Sequence, residues 1–180
     1  MLHDLETPSP WVRRWAALIS RGAVLDLASG RGRHARHLAS LGHEVLALDR
    51  DREALAALAG VAGVQTLCAD LEAAAWPLAG RRFAGVVVCN YLHRPLLPRL
   101  ADSLESGGVL IYETFALGNE RYGRPSNPDF LLRPGELLES FGSALTVVAF
   151  EQGLVGSPKP AVVQRLCAAR APAATLAIDA

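Results

Sequence analysis

Short apolar runs alternate with helical runs along most of the chain. Residues 23–28, 44–48 and 64–68 are brief and aliphatic, which predicts strands. Residues 83–90 include Val86-Val87-Val88 and are apolar without alternation, as in a strand buried on both faces. Residues 109–114, 145–151 and 162–169 read as three more strands. Between the strands, helical spacing and stop signals predict helices over 33–41 (before Gly42), 52–59 (before Gly60), 94–105 (before Gly107-Gly108) and 134–141. Ahead of them, Trp11, Trp15, Leu18 and Ile19 recur at helical spacing behind Pro8-Ser9-Pro10. This predicts a leading helix within residues 1–20, with an aromatic face turned to the core.

Strand–helix alternation implies a parallel, doubly wound sheet with helices on both faces. The last two strands are separated only by residues 152–161, with Gly153, Gly156, Pro158 and Pro160. A connection that short forces an antiparallel pair, because a parallel return needs a crossover of about a dozen residues or more. The expected α/β fold is therefore seven-stranded, mostly parallel, with a final antiparallel strand.

Composition narrows the picture. At 180 residues, half of them hydrophobic, the chain suits a single domain, 1–180, with a real core. The 18 basic and 18 acidic residues cancel, and Lys159 is the only lysine. That balance disfavours a nucleic-acid partner. Cys68, Cys89 and Cys167 each end an apolar run; the odd count and unpaired spacing suit buried thiols in a reducing compartment. Met1-Leu2-His3-Asp4 opens no charged-then-apolar leader, and no apolar run approaches the ~20 residues that span a bilayer. A cytoplasmic protein without membrane contact is expected.

The chemistry gathers at predicted strand ends. In "VLDLASGRGRHA", residues 24–35, Gly30, Gly32 and Ala35 fit the nucleotide-loop pattern G-x-G-x-x-[G/A]. That pattern is weak alone. Asp26, four residues before Gly30, would repel a pyrophosphate and suits a ligand with a cationic group. Asp49 ends the second strand, Asp70 follows the third, and Asn90-Tyr91-Leu92-His93 follows the fourth. Plainer readings stand beside these. Asp26 could organise its loop, Asp49 could cap a helix (a task Asp51 can also do), and Asp70 could hold a turn. His34 and His37 have metal-ligand spacing but no acidic or Cys partner nearby, so they read as structural and no metal is expected. Arg31, Arg33 and Arg36 read as solvated faces.

Taken in order, these four strand-end motifs resemble the class I S-adenosylmethionine-dependent methyltransferases over residues 20–170. The match is looser to the small tellurite-resistance-type members. The resemblance implies a Rossmann-like fold and S-adenosyl-L-methionine as cofactor. It implies a cofactor site of Asp26, Ala28, Ser29, Gly30 and Gly32 in the first loop, Asp49 and Arg50 at the ribose, Asp70 and Leu71 at the adenine, and Asn90. Ala28-Ser29 stand where the family often has Gly-Cys or Gly-Thr. The fourth motif is not the [Asn/Asp]-Pro-Pro-aromatic box, since Pro95 comes too late, which argues against a nucleic-acid amino group as acceptor. Two other readings remain: a non-catalytic module that binds the same cofactor, and an NAD(P)-dependent oxidoreductase. The second is opposed by Asp26 and by the loop-joined final strands.

Residues 113–133, "ETFALGNERYGRPSNPDFLLR", take about twenty residues to reach the next helix. Loops that long are usually functional. With Phe115, Tyr122 and Phe130 inside it, 115–133 reads as an acceptor-side loop, in which Tyr122, Arg121 and Arg124 are candidates to meet a small-molecule acceptor. Tyr91, His93 and Glu113, all near strand ends, are the candidate general bases.

Overall fold

The structure is a computed structural model and describes residues 7–73 and 75–172. The expectation read from Met1–Asp4, and the first six residues of the segment 1–20, lie outside the described residues.

The strands are β1 Ala23–Leu27, β2 Glu44–Asp49, β3 Val64–Cys68, β4 Phe83–Cys89, β5 Leu104–Phe115, β6 Thr146–Val155 and β7 Ala161–Ala169. The helices are α1 Pro10–Trp15, α2 Arg33–Ser40, α3 Arg52–Ala56, α4 Leu97–Asp102 and α5 Glu136–Phe141. Among the described residues the strands form one sheet of seven in the order β3-β2-β1-β4-β5-β7-β6. β1 to β5 pair in parallel, and β7 is antiparallel to both β5 and β6. The mostly parallel sheet with one reversed strand is as the loop-length reasoning predicts. The order switches direction between β1 and β4, which opens a crevice at the C-terminal strand ends, where ligands bind in such sheets.

Each face carries its own core. Trp11, Val12, Trp15, Leu38 and Leu55 of α1 to α3 cover one face. Leu97, Leu100, Leu137 and Phe141 of α4 and α5 cover the other. β4 is buried at every position, which accounts for its unbroken apolar run. α1 starts where Ser9 caps it, its hydroxyl accepting from the Trp11 N–H at 3.1 Å, with Pro10 in the first turn.

Several predicted elements differ from the observed ones. The helix expected over 94–105 is a single 3₁₀ turn, Arg94–Leu96, followed by α4, which ends at Asp102. Pro95 and Pro98 each remove a backbone donor, so only a short helix forms. Gly107-Gly108 is no helix stop: β5 begins at Leu104 and runs through both glycines, with a register shift against β4 near Gly85. β6 runs on to Val155, so the connection expected over 152–161 shortens to 156–160. No helix covers the described part of the β3–β4 connection, and β3 is an edge strand, mostly exposed. Cys68 is accordingly exposed rather than buried, whereas Cys89 and Cys167 lie in the core.

The leading segment sits close on the sheet. A side chain begun at Gly85 would stand 2.8 Å from Ile19 Cδ1 and 2.9 Å from Ile19 Cγ2. Gly85→Val should therefore cost about 1–3 kcal/mol through overpacking, measured by denaturant unfolding. Ile19→Ala on that background should recover part of the loss. Full stability in the single variant would mean that the segment does not sit on β4.

Candidate active site

A cavity of about 420 Å³ opens at the C-terminal ends of the strands. Ala28 of the β1 loop, Asp49 and Arg50 at the end of β2, and Asp70 and Leu71 after β3 line it, together with Asn90 and Tyr91 after β4. Thr114, Phe115, Pro125 and Phe130 close the other side. Its volume lies within the range usual for small-molecule sites, about 300–1,000 Å³.

The first loop is built from Asp26. This side chain is buried, and its Oδ2 accepts the Ala35 N–H of α2 at 2.9 Å. α2 begins at Gly32, which has no side chain to cap it, so a carboxylate from β1 supplies the cap. Burial pushes the Asp26 carboxyl up to about 7, and the Ala35 bond and the Arg33 charge offset only part of that rise. Asp26 lies outside the cavity lining and organises the loop from below. Ser29, Gly30 and Gly32 are also absent from the lining.

The two glycines do different things. Gly30, at φ +53°, has open space where a Cβ would stand. Gly32, at φ +77°, would place a Cβ 2.4 Å from Leu58 Cδ2. Its bareness serves packing against the residue just past α3, not the approach of a ligand. Ala28 and Asn90 also adopt positive φ, at 54° and 56°, at the two strand ends that flank the crevice. Such backbone is uncommon outside glycine, and asparagine tolerates it better than most residues.

Asp49 ties the loop to β2. Its Oδ2 accepts the Gly30 N–H at 2.7 Å, and its Oδ1 accepts the Asp51 N–H at 2.9 Å. Asp51 itself caps α3, so Asp49 is not needed there. One accepting site per oxygen is taken, which leaves the carboxylate able to accept more. Asp70 also holds a turn, accepting from the N–H groups of Glu72 at 2.9 Å and Ala73 at 3.3 Å.

The three candidate bases separate. Tyr91 lines the cavity, but burial and the adjacent Glu72 carboxylate push its phenol well above its ordinary value. It keeps its proton near neutrality and can donate, not abstract. His93 lies outside the lining and precedes the 3₁₀ turn. Glu113 is buried and engaged: it accepts from Ser9 Oγ at 2.9 Å and pairs with Arg165, its register partner on β7. Next to it, His34 Nε2 accepts the Ser9 N–H at 3.2 Å. Burial pushes His34 down to about 3, so it is a neutral structural acceptor.

The acceptor-side candidates also lie elsewhere. Tyr122, Arg121 and Arg124 are exposed and outside the lining. The segment instead presents Phe115, Pro125 and Phe130. Asn119 explains part of the turn. It is buried, its Nδ2 donates to the Pro125 carbonyl at 3.0 Å, and its Oδ1 accepts the Val162 N–H at 3.2 Å. Glu72 is a lining residue that no pattern in the chain announces.

Comparison with known proteins agrees with this fold. Residues 24–108 match the model of a family described as a methyltransferase domain. The solved structure of TehB from Haemophilus influenzae is similar at a TM-score of 0.76 and 18% identity, over 91% of this chain and 62% of that one. The chain thus spans less than two thirds of TehB. The N-methyltransferase NodS from Bradyrhizobium japonicum WM9 is similar at a TM-score of 0.69 and 15% identity, over 90% and 93% of the two chains. The glycopeptide N-methyltransferase MtfA complexed with (S)-adenosyl-L-homocysteine is similar at a TM-score of 0.62 and 20% identity, over 88% and 87%. No curated protein sequence matches the chain. No helix among the described residues is long and apolar enough to cross a membrane.

The raised Asp26 carboxyl carries a pH signature. An unfolded Asp titrates near 3.8, and the folded one near 7. Between these values the folded chain holds a proton that the unfolded chain has released, so this group costs stability as pH rises through that window. Asp26→Asn keeps an acceptor for the Ala35 N–H and removes the titration. Its melting temperature relative to the parent chain should climb between about pH 4.5 and pH 7.5, then level off. A constant difference over that range would mean that Asp26 titrates as an ordinary carboxyl.

Proposed function

We propose that this chain, a class I methyltransferase by its matched domain and its strand order, binds S-adenosyl-L-methionine in the strand-end cavity and transfers the methyl group to a small-molecule acceptor. The observation that carries this reading is the joining of two unlike walls in one cavity. Asp49, Asp70 and Asn90 stand on one side, and Phe115, Pro125 and Phe130 on the other.

The residues fit the cofactor. Ser29 Oγ, buried in the first loop, has no hydrogen-bond partner among the described residues, although Ser29 is not part of the lining. Gly30 leaves space above the loop. The Asp49 carboxylate, held by two N–H donors, can accept from a vicinal diol in a charge-assisted way. Asp70 and Leu71 would flank a base, with Tyr91 near. When bound, the cofactor supplies a methyl carbon already activated by its sulfonium.

The chain's own contribution is then placement. Transfer requires donor and acceptor in line with water kept away. The apolar wall of Phe115, Pro125 and Phe130 would seat an acceptor by its apolar face. No Lys or Arg stands on that wall, which favours an acceptor without an anionic group there. Tyr91, its phenol proton shared with the Glu72 carboxylate, would orient the acceptor by its ring and by accepting at its oxygen. Glu113 is committed to Ser9 and Arg165, so a proton from the acceptor would leave to solvent or to Glu72.

Calorimetric titration with S-adenosylhomocysteine, run beside NAD, tests the reading. Saturable binding of the first alone is expected; binding of NAD alone would overturn it. Binding without turnover across a broad metabolite screen would favour a cofactor-binding module. Asp49→Ala should raise the dissociation constant at least tenfold, since a hydrogen bond to a charged group contributes about 1.5–3 kcal/mol. Gly30→Val should weaken binding, since a β-branched residue at φ +53° strains the loop that Asp49 holds by the residue-30 N–H. Unchanged affinity in Asp49→Ala would remove this carboxylate from the site.

A further inference from the structure

The segment that supplies the apolar wall is held from behind by one side chain. Arg94 follows the fourth strand-end motif and reaches three groups of that segment and the helix after it. Its Nε and one terminal nitrogen grip both carboxylate oxygens of Glu136, at 2.6 and 3.0 Å. The same terminal nitrogen donates to the Leu131 carbonyl at 2.8 Å, and the other donates to the Asp129 carbonyl at 2.7 Å. These two carbonyls bracket Phe130, which lines the cavity. Glu136 is buried, only 3% exposed, and also accepts the Arg133 N–H at 2.7 Å. Phe130 itself is 49% exposed, so burial alone does little to fix it.

We infer that Arg94 and Glu136 are positioning residues that set the place of Phe130, and with it the acceptor wall, relative to the end of β4. The wall is then preformed and tied to the strand end that carries Asn90 and Tyr91. A planar fork with donors on all three nitrogens makes these contacts; a lysine ammonium, a single point, does not. Arg94 is not among the cavity-lining residues and acts through the backbone on either side of Phe130. The inference rests on the proposed reading of the cavity for its catalytic meaning, and the two are tested by separate signals.

The test uses the full chain with 4-fluorophenylalanine at its five phenylalanines, and the Phe130 fluorine resonance assigned through Phe130→Leu. Spectra are recorded with and without S-adenosylhomocysteine, whose affinity is measured in parallel. In Arg94→Lys the Phe130 resonance should narrow and move toward the free amino acid's position, with the other four in place and affinity within threefold of the parent chain. An unmoved Phe130 resonance would overturn the inference. If all five move, Arg94→Lys has lost the fold, and the milder Glu136→Gln decides. In Glu136→Gln, movement of the Phe130 resonance alone supports the inference; an unmoved Phe130 resonance, or movement of any other resonance with it, overturns it. Absence of S-adenosylhomocysteine binding in the parent chain would overturn the cofactor reading and leave the fluorine result to judge the positioning pair.

Discussion

A buried carboxylate under the first loop is the constraint on which the site depends. Asp26 leaves β1 pointing into the start of α2, and its bond to the Ala35 N–H fixes where that helix begins. Everything between them, Ala28 to Gly32, must then make a tight left-handed course, which the positive φ angles of Ala28, Gly30 and Gly32 record. The loop's outer edge is fastened a second time, by Asp49 to the Gly30 N–H. A carboxylate with one bond in a dry place is costly to keep charged. The molecule accepts that cost where it sets the shape of a ligand loop.

The two sides of the cavity are stiffened by different means. On the cofactor side the residues follow directly from strand ends, so the sheet itself fixes them. On the other side an irregular segment must be held in place by side chains. Asn119 reaches one end of it and Arg94 the other, and both bond to its backbone carbonyls. Behind the sheet, Glu113, Arg165, Ser9 and His34 lock α1 against β5 and β7. Polar residues that look catalytic in the chain are thus spent on architecture.

The fold was largely legible because its signals are local. The apolar run around Val86–Val88 and the shortness of the last connection each follow from one constraint on the chain. The ends of α4 and β5 were not legible, because Gly107-Gly108 suits a helix stop as well as a bulged strand, and only pairing with β4 decides. Among site residues, Asp49, Asp70 and Asn90 were readable as strand ends followed by a polar residue. Glu113 was misread because its partner Arg165 lies 52 residues away. Tyr122, Arg121 and Arg124 looked suited to recognition by type, while their exposure follows from the path of the whole segment. No local rule contains that information.

Gly32 and Leu58 form an interlock with a bearing on kinship. The glycine pattern in the first loop is usually taken as one signature, yet its two glycines answer to different neighbours. Gly30 faces open space, and Gly32 faces a leucine 26 positions further along the chain. What position 32 can hold is therefore coupled to the side chain at position 58: a smaller residue there would make room for asparagine at 32, and leucine would first have to turn aside. Loss of the second glycine in a distant sequence then reports a repacked helix, and says nothing against its holding the same nucleotide.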